Sequence, residues 1–148
     1  MSIFLSTYLN TIDKKGRISI PAAYRNLLAN DEINCVIAYP SIKHKAIEFC
    51  SYKRIAELSQ IIQTLDPYSE ERDAFETVIL SESMQLTIDS EGRVILPKKL
   101  YEYSMLEDQA VFVGKGLVFE LWHPDRFNEH ATAARIIAKN NRTLLKNL

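Results

Sequence analysis

The chain carries the same eleven-residue pattern twice. Thr11-Ile12-Asp13-Lys14-Lys15-Gly16-Arg17-Ile18-Ser19-Ile20-Pro21 returns 76 positions later, Asp13 becoming Asp89, as Thr87-Ile88-Asp89-Ser90-Glu91-Gly92-Arg93-Val94-Ile95-Leu96-Pro97. Thr, Ile, Asp, Gly, Arg and Pro are identical at matched places. The likeness continues: Cys35-Val36-Ile37-Ala38 parallels Val111-Phe112-Val113-Gly114, and Glu48-Phe49 parallels Glu120-Leu121 after a loop four residues shorter, with Arg54 parallel to Arg126. An internal repeat constrains a fold more than any single motif, because each copy has one apolar face and open strand edges that the other copy is placed to cover. The expected organisation is a first repeat over 7–54, a helical linker over 55–82, a second repeat over 83–126 and a helical, basic tail over 127–148.

Each half reads as strand, turn, strand, short helix, strand, loop, strand. In the first, Leu9 to Asp13 and Arg17 to Ile20 are short strands. Gly16 stands in the turn between them, where a positive φ is cheapest without a Cβ. Asp13 is placed to accept hydrogen bonds from turn amides, and Asp89 likewise. Ile18 and Ile20 share one face of their strand, so Arg17 and Ser19 point the other way. Pro21 opens a helix over Ala22 to Leu28, and Pro97 occupies the matching place. Ile33 to Tyr39 and Ala46 to Cys50 form a hairpin. Asp13, Gly16, Pro21, Asp89, Gly92 and Pro97 are therefore read as structural residues of the two turns.

The linker is helical. Ser51 caps a segment carrying Ile55, Leu58, Ile62 and Leu65 at helical spacing; Asp66-Pro67 breaks it, and Ser69 restarts it through Phe75, Val78 and Ile79. Pro124 to about Lys146 is a third helical stretch. The expected fold class is mainly β with α (α+β), in which the two copies interlock into a pseudo-twofold barrel with flanking helices.

Overall charge is −1 and the isoelectric point is about 6.3, but charge is unevenly placed. From Tyr8 to Arg25, Lys14, Lys15, Arg17 and Arg25 face Asp13 alone. From Ser51 to Glu82, seven acids outnumber Lys53, Arg54 and Arg72. From Ala133 onward, Arg135, Lys139, Arg142 and Lys146 meet no acid. Cys35 and Cys50 sit in apolar company and read as buried, reduced thiols. His44, His123 and His130 are scattered, without metal-ligand spacing, so no metal or cofactor is expected. The opening Met1-Ser2-Ile3-Phe4-Leu5 lacks the pattern of a signal peptide. With four glycines, no phosphate-cradling loop and no G-x-S-x-G, the chain is not expected to be an enzyme. Glu70, Glu71, Asp73 and Glu76 read as a solvated helix face.

The paired Asp-x-x-Gly-Arg turns, each ending in Pro, resemble the SpoVT-AbrB swapped-hairpin fold. Two copies joined by a helical linker, with Phe119-Glu120-Leu121-Trp122 closing the second, are similar to the MraZ family of bacterial transcriptional regulators. The likeness covers roughly residues 3 to 130. It implies an AbrB-like, double-split β-barrel and sequence-specific binding of double-stranded DNA at direct repeats upstream of the division and cell-wall gene cluster. It also implies ring-like homo-oligomers and a place in the cytoplasm, on the nucleoid. No membrane partner and no small-molecule substrate follow from it.

In that family the Asp-x-x-x-Arg turn is associated with DNA contact. Carried over, this points to Arg17 as the leading DNA-contacting residue, with Lys14 and Lys15 as phosphate contacts and Arg25 as a further candidate. Arg93 is the matched candidate in the second copy, though Ser90 and Glu91 replace the two lysines there and a structural role for Arg93 is favoured. For Arg17 the competing role is an ion pair with Asp13. Lys98, Lys99 and the basic tail are weaker DNA candidates, and Trp122 is read as core or subunit interface. Two other readings share the fold: an oligomeric scaffold that does not read DNA, and an antitoxin-type regulator.

Overall fold

The computed structural model describes residues 3–29 and 34–146. The first repeat contains β1 (Thr7–Thr11), β2 (Arg17–Ser19), α1 (Ala22–Leu28), β3 (Cys35–Pro40) and β4 (Ile47–Cys50). The linker folds as α2 (Tyr52–Ile62), α3 (Glu70–Phe75) and a π-helical segment, Glu76–Ser81. The second repeat contains β5 (Met84–Thr87), β6 (Arg93–Ile95), α4 (Lys98–Tyr103), β7 (Gln109–Gly114) and β8 (Phe119–Trp122). Helix α5 (Pro124–Asn140) and a 3₁₀ turn, Arg142–Leu144, follow.

The two repeats exchange their first strands. β1 runs antiparallel to β7 of the other copy, Thr7 opposite Val113, while β5 lies on β3, Cys35 opposite Thr87. The resulting six-stranded order is β1-β7-β8-β4-β3-β5. β2 and β6 form a separate ribbon in which Ile18 stands opposite Val94, its own counterpart. On the large sheet Glu48 stands opposite Glu120, again its counterpart. The pseudo-twofold axis therefore passes between both pairs.

Closure differs from expectation. The hydrogen-bonded ladder ends at β1 and β5 instead of joining them. The ribbon touches both edge strands and sends Ile18, Ile20, Val94 and Leu96 into the core with Val36, Phe49, Phe112, Phe119 and Leu121. Burial of side chains, not a continuous ladder, thus seals the interior. Tyr24 of α1 lies at its centre, its hydroxyl donating to the Ser6 carbonyl at 2.7 Å.

The outer face of the sheet is covered by the helix that follows each hairpin. α2 brings Ile62 against Ile37, Tyr39 and Cys50, with Ile79 of the π-helical segment beside it. α5 brings Phe127 against Ala46, Val111, Val113 and Trp122. His130 stacks on Trp122 at 4.8 Å, and His44 lies 4.9 Å from the same ring. Trp122 is thus core within the chain.

Local expectations hold at most boundaries. Ser51 Oγ accepts from the Arg54 amide and Ser69 Oγ from the Arg72 amide, capping α2 and α3. Pro21 and Pro97 cap α1 and α4, one place earlier than the first helical position. α2 stops at Ile62, and Leu65 is exposed beyond it. After α3 the helix widens: the hydroxyls of Thr77, Ser81 and Ser83 each donate to the carbonyl four residues back, bonds that compete with the regular ladder. Ile33, expected to begin β3, lies outside the described residues. Cys35 and Cys50 are both buried and form no disulfide.

Candidate nucleic-acid interface

The two Asp-x-x-Gly-Arg turns close in the same way. Asp13 Oδ1 accepts from the amides of Lys15 and Arg17, each at 2.9 Å, and Oδ2 accepts from Arg17 Nε at 2.6 Å. Asp89 Oδ1 accepts from the amides of Glu91 (2.9 Å) and Arg93 (3.0 Å), and Oδ2 from Arg93 Nε at 3.1 Å. Hydrogen bonds donated by the Arg17 and Arg93 amides hold both carboxyls below their ordinary range. Gly16 and Gly92 have φ of +78° and +79°, the left-handed conformation these turns require.

Each turn is fastened to the other repeat. Leu96 N–H donates to the Gly16 carbonyl at 2.8 Å, and Ile20 N–H to the Gly92 carbonyl at 3.0 Å. The turns therefore sit at opposite ends of the β2–β6 ribbon. Ile18 and Val94 point inward, so Arg17, Ser19, Arg93 and Ile95 form its outward face. Arg17 stands opposite Ile95 and Arg93 opposite Ser19, which sets the two guanidiniums diagonally across one surface. Residue-by-residue reading identified the two arginines. It missed their shared face and the neighbouring Ile95, 62% exposed. The alternation of β2 and β6 held that signal, and the ribbon pairing makes it visible.

The ends of the ribbon are electrostatically unequal. Lys14 and Lys15 project from the first turn, exposed and without ion-pair partners among the described residues. Arg17 commits Nε to Asp13, the ion pair weighed for it, and its Nη groups have no partner among the described residues. Arg93 is bound twice, by Asp89 through Nε and by Glu91 through Nη2, both at 3.1 Å. The second turn thus sets Asp89 and Glu91 against Arg93 alone, whereas the first sets Asp13 alone against Lys14, Lys15 and Arg17.

Arg25 has a different setting from the other candidates. Its Nε donates to the Ile20 carbonyl at 3.0 Å, and its guanidinium packs onto Gly92 of the second turn. Its counterpart Tyr101 instead donates its hydroxyl to the Glu107 carbonyl at 2.7 Å, leaving an open concavity beside the first turn lined by Asp13, Lys14, Lys98 and Tyr101. Lys98 and Lys99 face Glu102 and Glu82, each at 3.8 Å.

Two intertwined strand–turn–strand–helix copies, presenting an arginine-bearing ribbon between matched turns, define a tandem swapped-hairpin protein. The family model described as "MraZ protein, putative antitoxin-like" matches residues 3–42 and 79–147. A protein of Rickettsia canadensis (strain McKiel) named transcriptional regulator MraZ is 53% identical over 147 residues, spanning 99% of both chains. The protein of that name from Rickettsia africae (strain ESF-5) is also 53% identical over 147 residues, with the same coverage. That from Rickettsia typhi (strain Wilmington) is 50% identical over 148 residues, covering 100% of this chain and 99% of the relative. This chain belongs to the MraZ family.

Proposed function

We propose that the chain is a sequence-specific, DNA-binding transcriptional regulator. It acts as a repressor on direct repeats in the promoter of the division and cell-wall gene cluster, its own operon included. The observation that carries this reading is the outward face of the β2–β6 ribbon, with Arg17 and Arg93 on one surface and two unpaired lysines at one end. A major groove about 12 Å wide admits a two-stranded ribbon, and the free Nη groups of Arg17 suit guanine O6 and N7. Lys14 and Lys15 would lie beside phosphates, where they fix register without reading bases.

One ribbon carries too few cations to bind tightly alone. A homo-oligomer, expected as a ring, places several ribbons in succession on DNA, and avidity multiplies weak contacts. Direct repeats at regular spacing follow from that arrangement, and occupancy of the promoter excludes polymerase. If about four protomers each neutralise about 2 phosphates, the slope of log affinity against log salt is about −7. The protein would then reside in the cytoplasm, on the nucleoid. Nuclease footprinting on DNA upstream of its own gene, at two salt concentrations, tests the reading. Evenly spaced protection that fades at the higher salt supports it. No protection by assembled protein at low salt favours a scaffold that does not read DNA.

A further inference from the structure

Helix α5 is longer than the surface it covers. Phe127, His130, Ala131 and Ala134 are half-buried at helical spacing and form its packing stripe. Every residue from Arg135 to Lys146 is exposed. Seventeen residues span about 25 Å, so the last turns and the 3₁₀ segment project beyond the sheet as an arm. The arm is apolar as well as basic: Ile136, Ile137, Leu144 and Leu145 are 59%, 63%, 78% and 63% exposed, interleaved with Arg135, Lys139, Arg142 and Lys146. None of these four cations has an ion-pair partner among the described residues. Helices take most of their stability from packing one apolar face, and this stretch packs on nothing among the described residues.

The complementary surface lies on the linker. α3 has no buried residue, and Glu70, Glu71 and Asp73 are all exposed. Beside them Ile61, Tyr68 and Phe75 are 53%, 96% and 39% exposed. The nearby cation, Arg72, is turned onto its own chain, toward Glu76 and the carbonyls of Gln63 and Leu65. The same chain thus displays a basic, apolar arm and an acidic, apolar patch.

We infer that the arm of one copy docks on the α2–α3 patch of the next. Arm and patch are different surfaces, so the contact is heterologous and runs head to tail, closing into a ring where the rotation permits. DNA phosphates would match the four cations but would leave the four exposed aliphatic side chains in water. A second copy covers both. The inference rests on the proposed self-assembly and identifies the surfaces that perform it, independently of what the ribbon reads.

Charge reversal in pairs tests it. One variant carries Arg135→Glu, Lys139→Glu and Arg142→Glu; the other carries Glu70→Lys, Glu71→Lys and Asp73→Lys. All of these positions are exposed, and circular dichroism melts check that each variant folds. Masses are read by light scattering on an eluting column. Wild type is expected above the 17.0 kDa of one chain, and each variant alone near 17.0 kDa. An equimolar mixture is expected to reassemble, since each reversed arm then meets a reversed patch. Wild-type mass in either variant alone, or no reassembly on mixing, overturns the inference and leaves self-assembly standing. A monomeric wild type overturns both. Reduced DNA affinity in the arm variant at unchanged mass would show that the arm grips DNA instead. An additional Arg17→Ala variant should keep the wild-type mass, which separates this contact from the ribbon.

Discussion

The Arg25 side chain fills the space that a Cβ on Gly92 would enter: such an atom would lie 2.3 Å from Arg25 Nη1 and 2.6 Å from Cζ. A residue of the first repeat thereby buttresses the turn of the second, across the pseudo-twofold axis. At Gly16 the nearest atom to an added Cβ is the Leu96 carbonyl oxygen, at an ordinary 3.5 Å. Both glycines need a left-handed backbone, which costs a side-chain-bearing residue about 1–2 kcal/mol. Gly92→Ala must in addition displace Arg25 from the Ile20 carbonyl, a charge-assisted bond worth about 1.5–3 kcal/mol. Urea unfolding should therefore find Gly92→Ala less stable than Gly16→Ala by about 1–2 kcal/mol. Equal losses would show that Arg25 moves aside freely.

Glu48 sets a pH dependence. It faces Glu120 across β4–β8 and accepts a hydrogen bond from the Tyr39 hydroxyl. Burial, with the Glu120 charge adding to it, pushes its carboxyl up to about 7 from an ordinary 4.5. The folded chain thus holds this proton more tightly than the unfolded one. The stability this contributes is full below about 4.5 and is lost as pH rises through 7. Glu48→Gln keeps an acceptor for Tyr39 and removes the charge. Thermal melts should show the variant more stable than wild type above pH 7, by about 1–2 kcal/mol once solvent screening of this half-buried group is discounted. Coincident pH profiles would remove Glu48 from the account. Asp13 and Asp89, shifted the opposite way, contribute stability above about 3.8 that disappears in acid.

Cys50 should resist modification. It is fully buried against α2, and burial pushes its thiol up to about 12, so almost no thiolate exists near neutrality. Mass spectrometry after iodoacetamide at pH 8 is expected to show Cys50 unlabelled in native buffer and labelled in denaturant. Rapid native labelling would mean that α2 leaves the sheet readily.

The repeat made the swapped architecture legible, because Ile18 and Val94 occupy matched places and each needs an apolar partner. The turns were equally legible: Asp13 and Gly16, like Asp89 and Gly92, act through bonds to residues two to four positions away. What escaped depends on distant contacts. Arg25 sits on an ordinary helix face by local pattern, and its meaning lies in Gly92 across the axis. The open ladder between β1 and β5 follows from how far the sheet curls, which no local pattern encodes. Arg17 reads as a single cation at an exposed tip and Arg93 as a structural one until the ribbon pairing sets them on one face. The widened segment after α3 depends on whether Thr77 and Ser81 turn their hydroxyls back to the helix, a choice local propensity leaves open.

The unequal ribbon is tested most directly by comparing Arg17→Ala with Arg93→Ala in titrations of fluorescent DNA from upstream of the chain's own gene. Each variant is first shown to keep the wild-type mass. A lost bidentate base contact costs about 1–3 kcal/mol, so Arg17→Ala should weaken binding by roughly tenfold or more. Arg93, already held by Asp89 and Glu91, should cost no more than about threefold, within the modest energy of a surface ion-paired side chain. Equal losses, or undiminished binding by Arg17→Ala, would contradict the account.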